Sequence, residues 1–201
     1  MVWFGCGEKL VAVAEIPGEK RNRYRVNATH VVAGPAPKLP LAGWEMLRIE
    51  AESAPSVLAP ITLYGNPGAP KYTPPDAPTA AANGLKAIAV GGEPVLAVII
   101  PMGKSDSWYA LPEAERKSHF YSTATQPRHT KIGEPYVPKI HRRLFHSRGK
   151  GQPFDFITYF EFRASDEEAF RTLLAGLRDT KINPEWSYVD REFEIWMTKL
   201  A

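Results

Sequence analysis

Cysteine is almost absent: Cys6 is the only one in 201 residues. An internal disulfide is therefore impossible, and a thiolate metal cluster has no second ligand to draw on. A reducing compartment is the simplest setting for such a chain. Long apolar runs are missing too. No stretch reaches the roughly 18 apolar residues that a membrane-spanning helix needs, and the opening MVWFGCGEKL lacks the basic start and long apolar run of a secretory leader. These features predict a soluble, cytoplasmic protein. Charge of one sign is also scarce, with 25 basic residues spread among 22 acidic ones for a net charge of +3. No arginine-rich arm or lysine block argues for nucleic acid as a partner, whereas a small anion drawn into a locally positive pocket remains compatible with this balance.

Hydrophobic residues at 44% and aromatics at 11% are enough for a packed core. Twelve of the 19 prolines fall between Pro35 and Pro101, densest in YGNPGAPKYTPPDAPTAAANG (64–84). Proline removes amide donors, so this stretch, within a wider proline-rich segment 54–84, reads as a loop. Around it, KLVAVAEI (9–16), RVNATHVVA (25–33), WEMLRIEA (44–51) and EPVLAVIIPM (93–102) carry strand character.

The second half alternates more clearly. LPEAERKSHF (111–120) places proline and acids where a helix begins. PFDFITYFEF (153–162) and SYVDREFEIWMTKL (187–200) alternate as strands. Between them, SDEEAFRTLLAGLRDT (165–180) offers Ser165 and Glu168 as a capping box, followed by Phe170, Leu173, Leu174 and Leu177 at helical spacing. The order predicts an α+β fold with two ferredoxin-like halves, 1–92 β-rich and 93–201 containing the site.

Taken in order, PMGKSDSWY (101–109), ERKSHF (115–120), YVPKIHRRLFHSRGKGQPFDFITYFEF (136–162) and PEWSYVDREFEI (184–195) resemble the chlorite dismutase family, above all its short-chain lineage. GWEMLRIEAES (43–53) adds a weaker upstream match. The resemblance spans roughly residues 93–200. It implies a dimeric α+β barrel that binds haem b and decomposes chlorite to chloride and dioxygen, and by lineage a homodimer.

The family pattern carries over residue by residue. His129 matches the proximal iron ligand, thirteen residues before Arg142, which matches the distal arginine and is the catalytic candidate. Read without the family, a histidine in so polar a stretch is a solvated surface residue and Arg142 a surface charge beside Arg143. With it, Arg142 belongs inside the pocket and Arg143 outside. Glu185 and Lys104 match the pair behind the proximal histidine: a carboxylate that accepts the ring N–H raises the ligand's basicity, and the lysine holds that carboxylate. Without the family, the two would be an ordinary rim ion pair. Trp108 and Tyr109 stand where the family has two tryptophans, expected to pack on the macrocycle or across a subunit contact; Tyr109 departs from the pattern. His141, next to the distal arginine, points the opposite way if the segment is a strand.

The same fold also carries the coproheme decarboxylases. They place a catalytic tyrosine before the proline of PMGK and usually a glutamine at the distal arginine. Here those positions are Ile100 and Arg142, and isoleucine cannot form a tyrosyl radical. A haem-binding or haem-transfer protein without turnover, and a cofactorless barrel with a polar pocket, are the other readings this sequence admits.

Overall fold

A computed structural model describes residues 1–8, 10, 20–35, 39–51, 59–68, 88, 92–121 and 128–201. The expected strand at 9–16, apart from Leu10, and most of the proline-rich segment lie outside the described residues.

The fold is α+β. Eight strands form a closed antiparallel barrel: β1 Val2–Gly7, β2 Lys20–Ala33, β3 Glu45–Glu50, β4 Ile61–Pro67, β5 Val95–Lys104, β6 His141–His146, β7 Phe156–Arg163 and β8 Val189–Lys199. Their order around the barrel is β1-β3-β2-β8-β5-β7-β6-β4. After residue 92 the elements run strand, short helices, two strands, helix, strand. The short helices are α1 Asp106–Ala110, α2 Glu113–Ser118 and α3 His129–Gly133, and the long one is α4 Glu167–Arg178.

Alternation along the strands sorts side chains onto two faces. On β7, Ile157 and Tyr159 point into the barrel with Phe4, Phe145, Phe193 and Ile195. Phe160 and Phe162 point outward, yet they are as buried as their neighbours because α4 lies over them. Phe170 of α4 stacks on Phe162 with ring centroids 4.5 Å apart, and Leu173, Leu174 and Leu177 extend the same stripe. Helix α3 approaches α4 at Gly176, where an added Cβ would meet Ile132 Cγ2 at 3.1 Å. The site lies in this layer between barrel and helices.

Several expectations need correction. Residues 61–67, read as part of the 54–84 loop, form β4; residues 61–65 pair with β1, and Pro67 sits where β4 makes only two pairings with β6, Asn66 with His146 and Pro67 with Phe145, a sheet position that tolerates proline. The capping box at Ser165 does not form. Ser165 lies in a 3-10 turn, Ala164–Asp166, and Asp166 is the N-cap with no side-chain cap bond. The turn feeds straight into the helix, so the Glu167 amide bonds the Ala164 carbonyl instead. Residues 187 and 188, read as strand, close a 3-10 turn, Pro184–Tyr188. Strand β1 was not foreseen, since VWFGCG carries two glycines that weaken a strand pattern.

Candidate functional site

A cavity with about 570 Å³ of free space, part of it open to solvent, lies on the outer face of the barrel. Strand β5 supplies Ile100, Met102 and Lys104; β6 supplies Arg142 and Leu144; β7 supplies Phe156, Thr158 and Phe160. Leu174 and Leu177 of α4 form the opposite wall, and Phe120, His129, Glu185 and Trp186 complete the lining. The lining is mostly apolar with a few convergent polar groups, the character of small-molecule and cofactor sites.

Three of those polar groups form a chain. His129 Nδ1 and Glu185 Oε2 are 2.8 Å apart, and Lys104 Nζ donates to Glu185 Oε1 at 2.7 Å. Lys104 comes from the end of β5 and Glu185 from the 3-10 turn after α4, while His129 opens α3. The α3 turn is itself pinned, because Thr130 donates through both its amide (3.2 Å) and its hydroxyl (2.7 Å) to the Phe120 carbonyl. The Phe120 ring then lies 5.4 Å from the imidazole. With Nδ1 engaged, Nε2 is the ring nitrogen left for another partner.

Glu185 and Lys104 are both almost fully buried. Burial alone would raise the Glu185 carboxyl, but the charges and hydrogen bonds of His129 and Lys104 outweigh it and hold the group at about 2, against an ordinary value of 4.5. Burial lowers the Lys104 ammonium and the Glu185 carboxylate offsets part of that loss; the ammonium also faces the Trp108 ring at 4.5 Å. A depressed carboxyl contributes stability that is present above its ordinary value and is lost as pH falls toward the folded value. Urea unfolding should therefore show a loss between pH 4.5 and about 2, on the order of 3 kcal/mol for this one group. Glu185→Gln should remove that component of the acid dependence; an unchanged acid profile would contradict the assignment.

Arg142 occupies the same cavity under different conditions. Among the described residues it makes no hydrogen bond or ion pair, and much of its side chain remains free toward the cavity it lines. The surrounding protein nonetheless desolvates the guanidinium and lowers its pKa, with Glu185 acting in the opposite sense. Arg143 is held elsewhere, paired with Glu50 and lying over the Phe145 ring at 5.3 Å. The alternation along β6 thus separates two adjacent arginines: one guanidinium faces the cavity, and the other is paired on the Phe145 face of the strand.

The remaining expected residues lie outside the lining. Trp108 is buried behind Lys104, among His119, Phe120 and Tyr188. Tyr109 carries Arg148 over its ring at 3.3 Å; its hydroxyl meets no hydrogen-bond criterion among the described residues, and burial and the nearby Asp155 carboxylate raise its pKa. His141 is opposite Glu161 in the β6–β7 register, away from the lining. Cys6 is packed in the barrel core, and burial pushes its thiol up to about 12. Sequence reasoning missed Phe120, Trp186 and the α4 leucines. Leu174 and Leu177 were legible as an apolar stripe, with nothing to say that a cavity lay beneath them.

A scan against protein-family models matches residues 82–198 to chlorite dismutase. No curated protein matches the chain. Among solved structures, a dimeric chlorite dismutase from Nitrobacter winogradskyi is 25% identical with a TM-score of 0.68, covering 98% of this chain and 99% of that one. The chlorite dismutase from Candidatus Nitrospira defluvii in complex with imidazole is 19% identical with a TM-score of 0.66, covering 100% of this chain and 91% of its own, a likeness of fold.

Proposed function

Because the chain belongs to the chlorite dismutase family, we propose that it binds haem b in this cavity and decomposes chlorite to chloride and dioxygen. One observation carries the reading: His129, its Nδ1 held by Glu185, and Arg142, with no bond to any described residue, open on the same apolar-walled cavity. The residues fit a haem. An imidazole with one nitrogen tied to a carboxylate is a good iron ligand, and the walls are aromatic and aliphatic.

A bound haem supplies the redox chemistry that breaks chlorine–oxygen bonds and joins the two oxygens. The protein's share is positional and electrostatic. Lys104 fixes Glu185, and Glu185 holds the His129 Nδ1 proton, so that Nε2 would be the nitrogen that holds the iron and would be made more basic. Arg142 presents a permanently cationic fork of parallel donors to the chlorite oxygens. The same donors would hold a hypochlorite-level anion in the cavity. Met102, Leu144, Phe156 and Phe160 keep water from the reacting atoms. Trp108 would support the haem site through Lys104, and Tyr109 through helix α1, which carries both residues.

Ile100 lines the cavity, so the position at which the resemblance places a decarboxylase's tyrosine is turned toward the site and holds an inert side chain. This favours chlorite chemistry over coproheme decarboxylation. The barrel is read as two ferredoxin-like halves, 1–92 and 93–201; the β8-β5-β7-β6 order of the second half supports this. Two copies form a homodimer like the Nitrobacter relative. Purified protein loaded with haem b and given chlorite should evolve dioxygen over many turnovers. Haem uptake with no loss of chlorite would make it a haem carrier, and failure to take up haem would overturn both readings.

A further inference from the structure

Glu192, on β8, has 1% of its surface exposed. Burying a carboxylate is costly unless its oxygens are bonded, and here the two oxygens are divided between two partners. Oε1 accepts from Arg178 Nε at 3.1 Å and Nη2 at 2.5 Å. Oε2 accepts from the indole Nε1 of Trp186 at 3.1 Å. Arg178 also meets Glu194 at 2.5 Å, so its guanidinium is fixed from two sides. An apolar group in this place would fill the space without a desolvation penalty.

What the arrangement touches gives it a role. Trp186 follows Glu185 in the turn Pro184–Tyr188, lines the cavity, and lies with its ring 5.8 Å from Lys104 Nζ. The turn is anchored at its start by Asn183 Nδ2, which donates to the Leu177 carbonyl at 2.6 Å, and at its end by the Ser105 amide, which donates to the Tyr188 carbonyl at 2.8 Å. Between these anchors, the Trp186 indole ties the turn sideways to β8. Glu192 stands opposite Met102 in the β5–β8 register, and Met102 shares strand β5 with Lys104. A hydrogen bond that Glu185 accepts from an imidazole N–H needs sub-ångström placement of its supporting residues.

We propose that Glu192 and Trp186 are positioning residues for the His129–Glu185 pair: Glu192, locked by Arg178, holds the Trp186 indole, and through the shared turn aims the Glu185 carboxylate at His129 Nδ1. This deepens the proposed function and rests on His129 being the haem ligand. The test uses haem-loaded protein and two readouts other than turnover, the iron–imidazole stretching band of the reduced protein and the haem affinity. Glu185→Gln sets the scale for a lost carboxylate. Trp186→Phe, which keeps the ring and deletes only the N–H, should move the band in the same direction and weaken haem binding roughly 10-fold. Glu192→Leu should do the same, while Glu192→Gln, whose amide oxygen still accepts from the indole, should restore the wild-type band. A shifted band in Glu185→Gln with no shift in Trp186→Phe would overturn the positioning role alone. A Glu185→Gln variant with the wild-type band would overturn the reading beneath it.

Discussion

Replacing His129 with alanine should lower haem affinity by at least about 100-fold, since even residues that only support a metal ligand are worth 10- to 100-fold. No other described histidine lines the cavity to take its place. His119 is packed against Trp108 and Tyr188, His141 lies opposite Glu161 in the sheet, and His146 packs edge-on to Phe156. The fold should survive the substitution, because His129 is only partly buried and the turn it opens is held through Thr130. Added imidazole should restore part of the Soret absorbance by filling the vacated space. A haem titration with His129→Ala that reaches full occupancy and the wild-type Soret band would reassign the ligand.

Arg142→Ala should have the opposite signature: haem stays, and the fate of the chlorine fragment changes. Arg142 makes no bond that holds the fold together among the described residues, so its removal leaves the His129–Glu185–Lys104 chain intact. The loss falls on anion binding. Removing one preorganised donor from a developing oxyanion typically costs about 10²- to 10³-fold in turnover, and hypochlorite that is no longer held should escape and bleach the haem within fewer cycles. A hypochlorite trap added during turnover should therefore be chlorinated by Arg142→Ala and spared by the wild type. Arg142→Lys should recover little, because an ammonium lacks the parallel fork. Equal oxygen yield and equal lifetime in Arg142→Ala would refute the retention role.

The residues that the sequence made legible share a physical reason. Arg142 and Arg143 separate because adjacent side chains on a strand alternate, and the same rule sends His141 away from the cavity. Phe170, Leu173, Leu174 and Leu177 mark a buried helical face by spacing alone. Lys104 and Glu185 stand 81 positions apart; no local pattern pairs them, and only the family resemblance did. Glu192 was illegible for a different reason. In REFEIW the charged residues alternate with apolar ones, which reads as a solvated face, whereas α4 and the turn after it cover that face and bury Glu192 and Glu194. Strand β4 was hidden by its proline and its neighbours, and β1 by its glycines. In both cases long-range pairing with other strands overrides a weak local preference.

The most direct test of the account is the isotopic composition of the gas released when haem-loaded protein is given chlorite labelled with oxygen-18 at both positions, in ordinary water. If His129 holds the iron and Arg142 keeps the chlorine fragment beside it, both labelled atoms should leave together as doubly labelled dioxygen. Release of singly labelled or unlabelled dioxygen, or accumulation of hypochlorite with no gas, would contradict it.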